Sequence, residues 1–348
     1  MIDGMKAPQR ILIIRLSAIG DIIMASGLIP ALRKLWPEAR IAWLAEESQT
    51  ELLRHNPRLD RVIGLPRGRW RGLRKAGRYR EMGREVAAMI RMLRDERYDL
   101  VLDLQGLLKS GVWARATGAA RRIGLGSREG SQWLMTEVIP REMEDPRIGK
   151  EYRDLAVRLG ARPESFVMDI AVPDATRDSA AALRGRSGIA GDYVVLAPFT
   201  TRPQKHWFDE RWAELARRLQ PRFTPVLLGG PGDMARAAAI ETLSGGGVVN
   251  LAGQTTLTEC AALIESARAL VGVDTGLTHL GLAMATPTLA LFGSTMPYLD
   301  TSRAHSRVLY VPRACSPCHR RPTCAGRFDC MRAHDVESVL GALTGLVG

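Results

Sequence analysis

No stretch of this chain is long and apolar enough to cross a bilayer. The longest apolar runs, Val194 to Phe199 and Leu289 to Phe292, fall well short of the roughly 20 residues that a spanning helix needs. No transmembrane helix is expected. Met1 to Arg10 run straight into Ile11-Leu12-Ile13-Ile14 and the charged Arg15, without the extended apolar region or small-residue cleavage site of a secretion signal. A cytoplasmic location is therefore expected. The familiar phosphate signatures are missing too. There is no Gly-x4-Gly-Lys-Ser/Thr, no Gly-x-Gly-x-x-Gly follows the first strand, and the turn Gly229-Gly230-Pro231-Gly232-Asp233 has the spacing of neither. These absences count against a P-loop enzyme and a dinucleotide oxidoreductase. No short repeat supports a solenoid or propeller.

Acidic residues are in deficit, 37 against 49 Lys and Arg, for a net charge of +12. Such a balance asks for an anionic partner: nucleic acid, a phosphorylated small molecule or an anionic membrane surface. The cations cluster. Arg67, Arg69, Arg71, Arg74, Lys75, Arg78 and Arg80 fall within 14 residues with no acid among them, interleaved with Trp70 and Tyr79. This run reads as a solvated mobile loop, as a dock for an anionic substrate or lipid headgroups, or as a single-strand nucleic-acid contact that stacks bases on its aromatics.

With 348 residues, 46% hydrophobic and 25% charged, the chain can bury a full core in about two domains. Apolar runs at 11–16, 41–45, 61–65 and 99–104 alternate with helical patterns at 21–35, 48–55 and 81–97. The rhythm restarts with strand signals at 193–197, 224–228, 248–251, 269–273 and 288–292. This predicts an α/β fold of two Rossmann-like, doubly wound domains facing a central cleft. The domains are placed at 1–170 and 191–333, with a linker at 171–190. A Cys-rich loop spans 312–332, and a last helix at 334–348 is expected to pack back on the first domain.

Ligands of such sheets bind beyond the carboxyl ends of the strands. Ser17-Ala18-Ile19-Gly20-Asp21 and Asp274-Thr275-Gly276-Leu277-Thr278-His279 both lie there, each at a strand-to-helix turn. A carboxylate at a helix N-terminus is ordinarily a cap, and capping stands as the plain reading of Asp21 and Asp274. Their company points further. Pro198 to Arg202, with Thr200 and Thr201, closes a strand and leads to Lys205-His206-Trp207, which places hydroxyls, a cation and an aromatic at the same rim, and Thr275 and Gly276 offer backbone N–H groups to phosphate oxygens, which together describe a diphosphate pocket.

These motifs, with Tyr98-Asp99-Leu100-Val101-Leu102-Asp103-Leu104-Gln105-Gly106-Leu107-Leu108-Lys109 and Thr200-Thr201-Arg202-Pro203-Gln204-Lys205-His206-Trp207, stand in the order found in the ADP-heptose:lipopolysaccharide heptosyltransferases. The chain resembles that family, glycosyltransferase family 9, over nearly its whole length. The middle two motifs look most like the heptosyltransferase I branch. The resemblance implies a GT-B enzyme that transfers heptose from ADP-heptose, with inversion and no metal, to a Kdo sugar of lipid A or to an inner-core heptose. It implies Asp21 as catalytic base. It implies donor contacts from Thr200, Thr201, Lys205, Asp274, Thr275 and Gly276, with His279 either reaching phosphate or simply packing, and Asp233 a candidate for the ribose. Acceptor contacts would come from Ser17, Gly20, Arg71, Arg74, Lys75, Gln105 and Lys109. Kdo carboxylates and lipid A phosphates would account for the basic charge without nucleic acid, and would hold the enzyme on the inner face of the inner membrane. Met24 stands where the family often has a histidine.

Cys315, Cys318, Cys324 and Cys330 form Cys-x2-Cys-x5-Cys-x5-Cys. In a reducing compartment this reads as a structural zinc or iron site, with disulfides and free thiols as alternatives. Iron enters because related autotransporter heptosyltransferases carry a four-cysteine iron finger. Cys260 reads as a core residue. A nucleic-acid module and a non-catalytic sugar-nucleotide-binding protein remain as competing functions.

Overall fold

The computed structural model describes residues 7–141, 145–318 and 321–348. The first six residues and positions 319 and 320 of the Cys-rich loop lie outside that range. The chain divides into two units, Met1–Asp145 with Gly149–Ala171, and Pro146–Ile148 with Val172–Gly348.

In the first unit β1 (Arg10–Ile14), β2 (Arg40–Glu46), β3 (Arg61–Leu65), β4 (Leu100–Asp103), β5 (Arg121–Leu125) and β6 (Glu137–Ile139) pair in parallel, in the order β3-β2-β1-β4-β5-β6. The run Ile11 to Ile14 shows why β1 is central. Ile11 and Ile13 enter the core on one face of the sheet, while Leu12 and Ile14 enter the core on the other. A strand buried on both faces needs a continuous apolar run, and this one has it.

The second unit repeats the plan with β7 (Tyr193–Ala197), β8 (Thr224–Leu227), β9 (Val249–Asn250), β10 (Ala269–Val273), β11 (Thr288–Phe292) and β12 (Ser306–Tyr310). The order is β12-β11-β10-β7-β8-β9, again wholly parallel. Counted within each unit, both sheets run 3-2-1-4-5-6. The order reverses direction between β1 and β4, and between β7 and β10, which is where doubly wound sheets open a ligand crevice.

Several expectations are corrected. The helical pattern at 21–35 is two helices, Ile19–Ala25 and Leu28–Leu35. At the junction Gly27 faces the Phe166 ring so closely that an added Cβ would lie 2.7 Å from it. The basic run is a helix, Arg67–Lys75, rather than a loop. Trp70 and Leu73 are its buried side, and Trp70 stacks on Trp113 at 5.6 Å. Its missing acids come from the next helix, Tyr79–Asp95: Glu85 accepts from Trp70 Nε1 at 3.0 Å and from Arg69 Nη2 at 2.6 Å. The segment 171–190 carries the helical stretch that its sequence suggests. It holds the helix Asp174–Arg186, joined to the helix Leu257–Glu265 by Arg177 to Glu265 at 2.7 Å and Ser179 to Glu259 at 2.6 Å. The last helix, Val336–Val347, belongs to the second unit, because Val339, Leu343 and Val347 lie in that unit's core.

Candidate active site

The crevice of the first unit is lined by the loops that follow β1 and β4. After Ile14, Arg15 turns inward. It is 5% exposed, its Nη1 donates to Leu104 O at 2.9 Å, and its Nη2 forms an ion pair with Asp21 Oδ2. Asp21, in the first turn of the helix Ile19–Ala25, also accepts from Ala18 N through Oδ2 at 3.2 Å. The carboxylate therefore does cap its own helix. Its Oδ1 has no hydrogen-bond partner among the described residues. Burial opposes the Arg15 charge, but Tyr152, Asp21 and Glu151 hold its pKa above the ordinary arginine value.

Gln105 ties the two loops together, its Oε1 accepting from Leu16 N at 3.0 Å and Ser17 N at 3.3 Å. Asp103 in turn shapes the Gln105 loop. It takes the N–H groups of Gln105 and Gly106 at 3.0 and 3.2 Å, and the Ser110 hydroxyl at 3.0 Å. Gly106 has φ +65°, and a Cβ there would lie 2.5 Å from Leu125 O, so only glycine fits this turn. Gly20 lies in the first turn of the Asp21 helix. Lys109 is close enough to the loop that Arg67 and Arg15 join burial in lowering its pKa, against Glu46 and Glu129. Arg67 itself pairs with Glu46. Arg71, Arg74 and Lys75 are exposed on their helix and touch none of these groups.

In the second unit the loops after β7, β10 and β11 meet. Lys205, ending the short turn Pro203–Lys205, places Nζ 2.5 Å from Asp274 Oδ2, which also accepts from the Thr295 hydroxyl at 2.6 Å. His279 Nε2 lies 3.4 Å from Asp274 Oδ1, and its Nδ1 is 2.9 Å from the Tyr298 hydroxyl. Burial alone would raise the Asp274 pKa, but His279 and Lys205 overcome it and hold the carboxyl well below the usual range. Burial and the Asp274 charge push the Tyr298 phenol up. Asp274 is therefore a fixed anion, Lys205 is the cation it positions, and His279 is an interior brace with both nitrogens engaged. Thr275 and Gly276 begin the helix Gly276–Ala283 beside them. Thr200 and Thr201 end the β7 loop, Thr201 exposed. Asp233 is not part of this cluster; its Oδ2 accepts from Gly230 N at 2.8 Å and closes its own turn.

The structure adds Arg15, Asp103, Thr295 and Tyr298 to the residues expected from sequence. Tyr298→Phe removes the one hydroxyl that fixes the His279 ring. It is expected to lower kcat/KM about threefold to tenfold and the thermal midpoint by about 2–4 °C, matching the loss of about 1 kcal/mol from one net hydrogen bond. Steady-state kinetics and a melting curve check it.

A metal site at the four cysteines is not shown by the described residues. Among the described residues no three His, Cys, Asp or Glu side chains are grouped to hold a metal. Cys330 instead packs in the hydrophobic core, where a Cβ on Gly293 would lie 2.9 Å from its Sγ. Cys324 is buried, while Cys315 and Cys318 are half-buried. Burial and the neighbouring cysteines push the Cys318 and Cys330 thiols up. All five cysteines are free thiols, and Cys260 is buried as expected.

The chain is similar to several known proteins. It is 30% identical to lipopolysaccharide heptosyltransferase 1 of Pseudomonas aeruginosa over 91% of this chain and 87% of that protein. It is 27% identical to the Escherichia coli K12 protein of the same name, over 84% and 90%. Among solved structures, a family 9 glycosyltransferase of Veillonella parvula aligns with TM-score 0.80 and 20% identity, over 97% of each chain. The E. coli ADP-heptose heptosyltransferase II aligns with TM-score 0.75 and 23% identity, over 97% and 98%. The pair of parallel-sheet units is thus the GT-B architecture. The family model described as glycosyltransferase family 9 (heptosyltransferase) matches residues 86–328. With this match and the identity to the Pseudomonas protein, the chain belongs to glycosyltransferase family 9, and it is a glycosyltransferase.

Proposed function

We propose that the protein transfers heptose from ADP-L-glycero-D-manno-heptose to the Kdo of a lipopolysaccharide acceptor, with inversion at the anomeric carbon and without a metal. The observation that carries this reading is the division of chemistry between the units. One holds a carboxylate with an oxygen to spare, and the other holds a lysine beside the first turn of a helix. Relatives support the sugar, since two of them are named lipopolysaccharide heptosyltransferase 1, and a solved E. coli heptosyltransferase holds ADP-2-deoxy-2-fluoro heptose.

In this reading Asp21 Oδ1 takes the proton of the acceptor hydroxyl as that oxygen attacks the anomeric carbon, while Oδ2 stays fixed by Arg15. The bond from the anomeric carbon to the donor diphosphate breaks on the opposite face, and ADP leaves with the electron pair. Negative charge grows on the departing phosphate oxygen. Lys205 and the N–H groups of Thr275 and Gly276 stabilise it, supplying the positive charge that a divalent cation supplies elsewhere. Thr200 and Thr201 would bind the phosphates, and Gln105, Lys109, Ser17 and Gly20 the acceptor. Arg71, Arg74 and Lys75 would meet carboxylates or phosphates of a lipid-borne acceptor at the inner face of the membrane. Among the described residues no helix is long and apolar enough to cross that membrane.

The test presents the protein with ADP-, UDP- and GDP-sugars and with truncated lipopolysaccharides ending in Kdo or in heptose, and follows nucleoside diphosphate release with and without a chelator. Release of ADP only when ADP-heptose and the Kdo-terminated acceptor are both present, unchanged by chelator, is expected. Release with the heptose-terminated acceptor alone would move the acceptor assignment to the inner-core heptose. Loss of turnover on chelation would overturn metal independence.

A further inference from the structure

The helix Leu108–Ala116 buries Ser110, Gly111 and Ala114 but turns Leu108 and Val112 outward, 47% and 49% exposed. Beside them Trp133, in the short turn Ser131–Leu134, is 83% exposed. The patch is continuous. A Cβ placed on Gly130 would lie 3.5 Å from the Trp133 ring and 3.8 Å from a Leu108 methyl, so both side chains border the same small hollow. Lys109 and Arg115 are exposed on the same helix, and Arg128 is exposed on the strand-to-turn loop. Glu129 is the acid near this group, and its charge reaches Lys109.

A tryptophan this exposed needs a reason, since it gains nothing from the fold. The three apolar side chains offer on the order of 300 Å². That is well below the roughly 800 Å² per partner of a stable protein interface, which argues against a second copy of the chain as the occupant. An indole and two aliphatic side chains ringed by cations match a different surface. Indole settles at the level of lipid headgroups, short aliphatic chains reach the acyl boundary, and Lys and Arg meet the phosphates. The stack of Trp70 on Trp113 fastens the basic helix Arg67–Lys75 to this same helix.

We propose that this face of the first unit docks on an anionic lipid bilayer, with Trp133, Leu108 and Val112 entering the headgroup region and Arg115 and Arg128 against lipid phosphates. The proposal deepens the lipid-borne acceptor reading, for it brings the membrane to the helix that leads off Gln105 and Lys109.

The test is co-sedimentation of the full chain with vesicles of phosphatidylcholine alone and of phosphatidylcholine with phosphatidylglycerol, at low salt and at about 0.5 M salt. No nucleotide sugar or acceptor is present, so the result does not depend on the transfer reaction. Wild type is expected to bind the anionic vesicles at least tenfold better than the neutral ones, more weakly in salt. Trp133→Ala is expected to lower the partition coefficient about fivefold to tenfold, with an unchanged circular dichroism spectrum and unchanged turnover of a deacylated, soluble acceptor. Leu108→Ser on that background should lower it further. Equal partitioning of Trp133→Ala and wild type, or no binding of wild type to either vesicle, would overturn the proposal. So would a dimer in sedimentation equilibrium that Trp133→Ala dissolves. None of these outcomes would touch the assignment of heptosyl transfer, whose own failure would show in the nucleotide-release assay.

Discussion

Asp21→Asn is expected to lower kcat by about 10³-fold while the KM for ADP-heptose stays within about twofold, because a base acts in the transition state and not in donor binding. Asparagine keeps the shape of the side chain and can still accept from Ala18 N, so the helix start survives. What it cannot do is neutralise Arg15, which is 5% exposed. A buried charge stripped of its partner is costly, and with the Asp21 side chain 36% exposed the loss should be about 1–2 kcal/mol rather than the full value for a sealed pair. Kinetics measured well below the melting midpoint separate the two effects. Arg15→Met gives the contrast: comparable destabilisation, but a fall in kcat of only about tenfold to thirtyfold, because the carboxylate is present and merely less well held. Retention of more than about a tenth of wild-type turnover in Asp21→Asn would remove Asp21 from the role of base.

The second large effect is expected at Lys205. Lys205→Met takes away the cation proposed to meet the donor phosphates, and should lower kcat/KM for the donor by about 10²–10³-fold, the size of effect seen when a preorganised charge stabiliser is lost. It also leaves Asp274 with His279 and Thr295 alone. The two side chains are 21% and 14% exposed, so the stability lost should be about 2–3 kcal/mol. The sign of its pH dependence follows from Asp274. Burial works against this carboxylate, yet His279 and Lys205 hold its pKa below the unfolded value. Its contribution to stability is therefore fully present above the ordinary carboxylate pKa, near 4, and fades as pH falls through the lowered folded value. Without Lys205 the folded pKa moves up, and acid unfolding should begin at a higher pH than in wild type. An acid titration followed by circular dichroism reads this directly; identical acid midpoints for the two proteins would contradict the pairing.

Most of the sheet architecture was legible in the sequence, because strands buried on both faces announce themselves. Tyr193–Ala197, Ala269–Val273 and Thr288–Phe292 fall where the apolar runs place them. β5, β6 and β12 carry no such run. Arg121-Arg122 opens β5, β6 has three residues, and β12 is a half-buried edge strand. The basic helix was illegible for another reason. Its stabilising acids, Glu81 and Glu85, sit in the next helix, and its apolar anchor is Trp113, about 40 positions away. In the site, Asp21, Lys205 and Asp274 could be picked out because polar groups stand where buried strands end. Arg15 carries the same signal, a charge directly after Ile11 to Ile14, once its ion pair with Asp21 is known. Tyr298 is different. It lies in an irregular loop, and only the fold brings its hydroxyl to His279. The cysteine spacing finds no metal group among the described residues, where Cys330 lies in the hydrophobic core.

Each unit carries its own core and its own reversal of strand order. Under the proposed function, recognition of the two reactants falls to separate sets of loops, those after β1 and β4 in one half and those after β7, β10 and β11 in the other. Mutational drift in either set can retune one preference while the other is left intact. An enzyme laid out in this way can diversify toward new glycan targets without relearning how to handle its nucleotide.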